Sequence, residues 1–260
     1  MEKFVAYWGG YFNSDMTLDK TPDYVDTVIL AFGGPDKNKL NVEYLLSKYT
    51  EDQVVSWIKN CQSRGIKVLL SVIDNPENHW NHIDIDAFCK DTCSKMIDSW
   101  GLDGIDIDAE SAMPDSVYVD CFVAVVISMR KYLSNEKILT YTCYTGSSGP
   151  DGQILKKTRQ NINWINLMAY FDSYSEMTDL FNDYAKVMPP HQITIGVKAG
   201  DTKVDPSSTS IEEVAKLCCW NPEKTEKYGM MLWTLNRDIK AFTGQEDGLW
   251  TKTIHQHLAD

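Results

Sequence analysis

Residues 101–111 read GLDGIDIDAES, with Asp103, Asp106, Asp108 and Glu110 spaced by glycine, isoleucine and alanine. On a strand successive side chains alternate, so Asp106, Asp108 and Glu110 share one face while Ile105, Ile107 and Ala109 share the other. Neighbours on that face lie about 6.6 Å apart. At an effective dielectric near 20, two full charges at that distance repel by roughly 2.5 kcal/mol, or nearly two pKa units. The row is therefore expected to hold at least one proton at neutral pH. A carboxylic acid kept protonated beside a carboxylate is what glycosidic cleavage asks for.

Glu110 is the last and longest of the three, placed to reach a leaving oxygen, and Asp106 is the deepest. A calcium loop also spaces aspartates as D-x-D-x-D, but it needs polar turn-forming residues between them and a glycine at position six. Ile105 and Ile107 oppose that loop. A purely structural acidic row is opposed by cost, since buried unpaired carboxylates lose several kcal/mol of solvation.

The elements that must carry this row recur regularly. Candidate strands are 4–8, 27–32, 67–72, 104–110, 138–144, 164–170, 192–197 and 229–235. Amphipathic helix candidates fall at 51–64, 84–100, 114–134, 176–188, 209–219 and 246–258, with 14–25 and 148–161 the weakest helical stretches. Thr50 with Glu51 and Asp52 forms an N-cap and acidic first turn, and Pro114 with Asp115 opens another helix. Strands alternating with helices imply βαβ units, and eight of them in about 250 residues have the dimensions of a (β/α)8 TIM barrel. A doubly wound open sheet is the alternative, but WGGYFN after the first strand is no G-x-G-x-x-G phosphate turn. No linker divides the chain, so residues 1–260 are read as a single catalytic domain. In that barrel Glu110 sits at the C-terminal mouth, where substrates bind.

The net charge of −12 argues against a nucleic-acid partner, because phosphate binding needs a basic face. No segment approaches the roughly 20 apolar residues of a membrane span. MEKFVAYWGG shows no basic segment followed by an apolar one, so no signal peptide is visible; this fits a cytoplasmic protein or a secreted one whose leader has been removed. Seven cysteines without C-x-x-C pairs are expected to be free thiols.

DGIDIDAE (103–110) resembles the D-G-x-D-x-D-x-E signature of glycoside hydrolase family 18, the chitinases and endo-β-N-acetylglucosaminidases. LMAYFD (167–172) resembles the family's sixth-strand M-x-Y motif, and GMMLWTLNRD (229–238) its eighth-strand G-x-M-x-W segment. The resemblance implies a retaining reaction on β-1,4-linked N-acetylglucosamine, in which the substrate's own 2-acetamido oxygen attacks the anomeric carbon. It makes Glu110 the acid/base, Asp108 the group orienting the acetamido, Asp106 the acid sharing a proton with Asp108, and Tyr170 the donor to the acetamido oxygen. Trp233 becomes the aromatic floor under the sugar. Met168, on the face of Tyr170, is placed at the pocket base and Tyr7 on the wall. No metal or cofactor is implied. The partner is an N-acetylglucosamine-containing oligo- or polysaccharide, and a monomer is expected.

The chain departs from the family in two places. An S-x-G-G segment usual after the third strand is replaced by SVIDNPENHW (71–80), and Phe171 separates Tyr170 from Asp172, which is carried as a substrate contact. Trp80, in the loop after the third strand, is a candidate sugar platform at the mouth. Trp220 and Trp250 are assigned to the core, and the five histidines to surface or satisfied positions. Chitinase ranks ahead of an endo-β-N-acetylglucosaminidase cutting the chitobiose core of N-glycans. A non-catalytic chitin-binding lectin is the third reading; such relatives lose the terminal glutamate of the motif, and Glu110 is present.

Overall fold

The structure, a computed structural model, describes residues 1–75 and 79–258, so part of the SVIDNPENHW segment lies outside the described residues. The strands are β1 (Lys3–Gly9), β2 (Thr27–Asp36), β3 (Lys39–Asn41), β4 (Lys67–Ile73), β5 (Gly104–Asp108), β6 (Ile138–Cys143), β7 (Trp164–Leu167), β8 (Ile193–Lys198) and β9 (Gly229–Trp233). The helices are α1 (Glu51–Ser63), α2 (Ile85–Cys93), α3 (Asp115–Tyr132), α4 (Pro150–Thr158), α5 (Tyr174–Tyr184), α6 (Ile211–Cys219), α7 (Lys240–Thr243) and α8 (Leu249–Leu258). β1 pairs in parallel with both β2 and β9, which closes the sheet into an eight-stranded parallel barrel. β3 stands apart, antiparallel to the end of β2 and forming a hairpin over the rim. The expected single-domain (β/α)8 barrel is what the chain forms, with β5, β7 and β9 as the fourth, sixth and eighth barrel strands.

Local signals explain most boundaries. Thr50 and Gln53 form a reciprocal capping box at the start of α1. Pro114 stands at the N-cap of α3, where its missing N–H costs nothing. The weak stretch at 14–25 forms only a one-turn 3-10 helix, Leu18–Lys20. Its backbone is used elsewhere: the Met16 carbonyl accepts the Trp8 indole N–H at 2.7 Å, and Pro22 has no N–H to extend a helix.

The apolar side chains fall into two layers. Outward residues such as Ile105, Ile107, Leu139 and Val68 pack under the helices in the larger cluster. Inward residues, among them Val5, Ile29, Leu69 and Trp164, form a separate cluster inside the barrel. Gly104, on the inward face of β5, must be glycine because a Cβ there would sit 2.1 Å from the Ile138 carbonyl oxygen. Among the described residues no helix is long and apolar enough to cross a membrane.

Candidate active site

Ladder register sets the inner polar belt. Ser71 on β4 lies opposite Asp106 on β5, and Asp106 lies opposite Thr140 on β6. The fully buried Asp106 carboxylate accepts from Tyr7 Oη at 2.8 Å and Ser71 Oγ at 2.7 Å on one oxygen. Its other oxygen accepts from Thr140 Oγ1 at 2.5 Å and Thr142 Oγ1 at 3.0 Å, with Asn166 Nδ2 at 3.5 Å. Asn166 is oriented in turn, because its amide oxygen accepts from Trp164 Nε1 and Thr194 Oγ1. Burial pushes the Asp106 carboxyl up, while this set of hydroxyls pulls it back.

Asp108 has no such support. It is 3% exposed, and its Oδ1 is buried with no hydrogen-bond partner among the described residues. Burial first, then the charges of Glu110, Asp106 and Asp151, push its carboxyl well above the usual range. Glu110 opens on the cleft, and partial loss of water around it also raises its carboxyl. The proton of the row therefore rests on the Asp108–Glu110 pair rather than on Asp106, whose oxygens are occupied by donors.

β5 ends at Asp108, so Glu110 lies just past the strand, and both of its neighbours are tethered. The Ala109 carbonyl accepts from the Tyr118 hydroxyl on α3. Ser111 Oγ donates to Asp74, a buried carboxylate that also accepts the Trp80 N–H at 2.9 Å and meets His79 Nδ1 at 2.7 Å.

Asp108 and Glu110 open on a cavity of about 210 Å³ that they share with Tyr7, Thr142, Met168, Tyr170 and Trp233. Trp233 is half-buried and stacks on Phe32 (ring centroids 5.6 Å, 22° between planes), with the Tyr7 ring meeting it edge-on. Such a flat, supported indole suits the apolar face of a sugar. The Tyr170 hydroxyl takes no protein partner among the described residues. Burial, then Asp108 and Glu110, push that phenol well up, so it remains a donor. Lys198 lines the same cavity, but its ammonium is held by Asp205 at 2.8 Å and Ser207 at 2.6 Å, so it does not neutralise the acidic row. A second cavity of about 700 Å³ shares Phe32 and Ile73 with the first and runs beneath the β2–β3 hairpin past Tyr11 and Tyr44, whose rings stack at 4.2 Å.

Comparison with known proteins follows the same outline. The family model of the endo-β-N-acetylglucosaminidase EndoS TIM-barrel domain matches residues 11–232. The chain belongs to this family of glycoside hydrolases. Endo-β-N-acetylglucosaminidase F2 of Elizabethkingia meningoseptica is 20% identical over 232 residues, covering 82% of this chain and 69% of that one. A family 18 chitinase from Pseudoalteromonas aurantia superposes with a TM-score of 0.79 at 19% identity, over 99% of this chain and all of the other. An endo-β-N-acetylglucosaminidase from Cordyceps militaris gives 0.73 at 18% identity, over 100% and 91% of the two chains. A mutant of that enzyme is solved in complex with fucosyl-N-acetylglucosamine-Asn.

On this glycoside hydrolase barrel, seven of the nine residues singled out from the sequence gather at one site: Asp106, Asp108, Glu110, Tyr170, Trp233, Met168 and Tyr7. Two do not. Trp80 is fully buried, because it opens a 3-10 helix (Trp80–His82) that sets the indole against Phe88 and Phe122. Asp172 is exposed and off the cavity wall, since a tight turn, with its N–H on the Ala169 carbonyl, places Phe171 at the cavity instead. Phe32, Ile73, Lys198 and Met231 line the cavity without having been singled out. Met231 lies inside the candidate strand 229–235, on the face of Trp233, and Lys198 lies one residue past the candidate strand 192–197.

Proposed function

We propose that this glycoside hydrolase cleaves the β-1,4 bond between two N-acetylglucosamine units with retention of configuration, and that its substrate is the chitobiose core of N-glycans. The observation that carries the reading is Asp108 Oδ1, without a partner among the described residues, on the wall of the cavity that Glu110, Tyr170 and Trp233 share. A buried acceptor calls for a donor, and the N–H of a 2-acetamido group is one.

In this mechanism the sugar lies on Trp233 with its acetamido group between Asp108 and Tyr170. Glu110 gives its proton to the glycosidic oxygen as the acetamido oxygen attacks the anomeric carbon. The proton that the Asp108–Glu110 pair holds leaves with Glu110, so the Asp108 carboxylate stabilises the resulting oxazolinium. Glu110, now a carboxylate, takes a proton from water, which opens the ring and restores the acetamido group with the original anomeric configuration. No enzyme nucleophile is required, and the upward push that burial gives the carboxyls of Asp108 and Glu110 favours their holding the proton that is transferred.

The choice of N-glycan over chitin reverses the order read from sequence. It is supported by the family model and by the bacterial relative, both described as endo-β-N-acetylglucosaminidases. The adjoining cavity beside Tyr11 and Tyr44 offers room for the rest of a glycan on one side of the cleaved bond.

The test is incubation with a high-mannose glycoprotein and, separately, with chitin oligomers, followed by mass analysis of the products. Release of a glycan that leaves one N-acetylglucosamine on the protein is expected. Cleavage of chitin oligomers alone would restore the chitinase reading. Glu110→Gln is expected to lower turnover by about 10² or more while retaining binding; wild-type turnover in the folded variant would remove Glu110 from its role.

A further inference from the structure

Another buried carboxylate lies behind the acidic row. Asp151 sits in the first turn of α4, fully buried. Its Oδ1 accepts from Tyr141 Oη at 2.8 Å. Its Oδ2 accepts from Thr145 Oγ1 at 2.7 Å, Thr145 N at 3.0 Å, Tyr144 N at 3.2 Å and Tyr184 Oη at 3.3 Å. These partners come from β6, the loop after it and α5, and all are hydroxyls or backbone amides. A buried charge held by this many donors is costly to build, and an apolar residue of similar volume could fill the same space.

Tyr118 joins this carboxylate to the catalytic strand. Its hydroxyl stands 3.3 Å from Asp151 Oδ1 and also contacts the Ala109 carbonyl, to which it donates. The one phenol proton is shared, mainly with the carbonyl, and Asp151 Oδ1 is the longer arm of a three-centre bond. The carbonyl it holds belongs to the peptide whose nitrogen is that of Glu110. We propose that Asp151 is a positioning residue for Glu110, acting through the Tyr118 hydroxyl to fix the Ala109–Glu110 peptide and thereby the reach of the Glu110 carboxyl into the cleft.

The proposal rests on Glu110 being the proton donor. Its electrostatics point the same way, because the Asp151 charge, after burial, Glu110 and Asp106, helps to raise Asp108. The groups facing Asp151 add no positive charge: Tyr118 from α3, Tyr141 and Cys143 from β6, Tyr144 and Thr145 beyond it, and Tyr184 from α5. The next α5 carboxylate, Asp183, is occupied by Ser147 N and Lys186.

Tyr118→Phe deletes the hydroxyl and keeps the ring, which packs on Phe122 at 4.5 Å. In a folded variant kcat is expected to fall about 5- to 10-fold with KM within about twofold of wild type, the size expected for losing one hydrogen bond. Asp151→Asn is expected to lose at least as much and to move the Asp108–Glu110 titration to lower pH, read by carbon-13 NMR of the carboxyls. A merely structural role would lower melting temperature without moving that titration. Wild-type kcat in Tyr118→Phe overturns the proposal, as does an unshifted titration in folded Asp151→Asn. If Asp151→Asn does not fold, Tyr118→Phe still decides. If the wild-type protein cleaves neither glycan nor chitin, the functional reading has failed, and the NMR titration, which needs no substrate, judges the Asp151 link separately.

Discussion

Tyr7 and Asp106, 99 residues apart in sequence, meet at 2.8 Å inside the barrel. The tyrosine ring also packs edge-on against Trp233, so one side chain connects the buried acid to the floor of the cleft. Tyr7→Phe keeps the ring and removes the donor. Asp106 then holds a proton more readily, which alters how the row shares charge with Asp108. A hydrogen bond to a charged group contributes about 1.5–3 kcal/mol, so kcat is expected to fall roughly 10-fold or more with KM nearly unchanged. Steady-state kinetics on the folded variant check this, and wild-type kcat would show that Ser71 and Thr140 suffice.

Asp108 should destabilise the protein at neutral pH. Its carboxyl titrates well above the usual value in the folded state and near 3.9 when unfolded. The stability linked to it is therefore fully present below about pH 3.9 and is lost as pH rises through the folded-state value. Asp108→Asn is expected to raise the melting temperature at pH 8, with the gain vanishing near pH 3. Equal melting temperatures at pH 8 would count against the raised carboxyl.

Tyr170→Phe removes a hydroxyl that faces the cavity without a partner among the described residues. If that hydroxyl grips the acetamido oxygen as charge develops on it, kcat falls by roughly 10- to 150-fold with little change in KM. A rise in KM alone would make Tyr170 an ordinary sugar contact. Proton NMR of early products supplies the companion measurement: the β-anomer should appear first, and deacetylated substrates should resist cleavage.

Trp80 and Trp233 should part company on mutation. Trp80→Ala empties a site packed by Phe88 and Phe122 and is expected to cost about 3–5 kcal/mol of stability, read by denaturant unfolding, with KM of the folded fraction unchanged. Trp233→Ala should instead weaken both binding and turnover. A changed KM in Trp80→Ala would place that indole back at the cleft.

The acidic row was legible in the sequence because strand alternation alone puts Asp106, Asp108 and Glu110 on one face. The donors around Asp106 were not, because Ser71 and Thr140 meet it through ladder register, which depends on how whole strands align. Asp151 hid at the start of the weak helical stretch 148–161, whose SSGPDG opening (147–152) shows no apolar face; Pro150 opens α4 there and carries the aspartate into the interior. The strand expected over 164–170 stops at Leu167, yet Tyr170 still reaches the cavity because the chain continues along the rim before turning at Phe171. Trp80 misled because position after a strand does not reveal whether a loop folds outward or back under α2 and α3.

Six of the seven cysteines are buried and Cys219 is exposed. Burial pushes the Cys93 and Cys218 thiols up to about 12, which leaves almost no thiolate at neutral pH. In a parallel barrel each helix runs back against its strand, so the C-terminal end of α6, where Cys219 lies, is at the base, opposite the cleft. A maleimide should therefore attach at one point and tether the enzyme to a support with its mouth turned outward, accessible to a bulky glycoprotein.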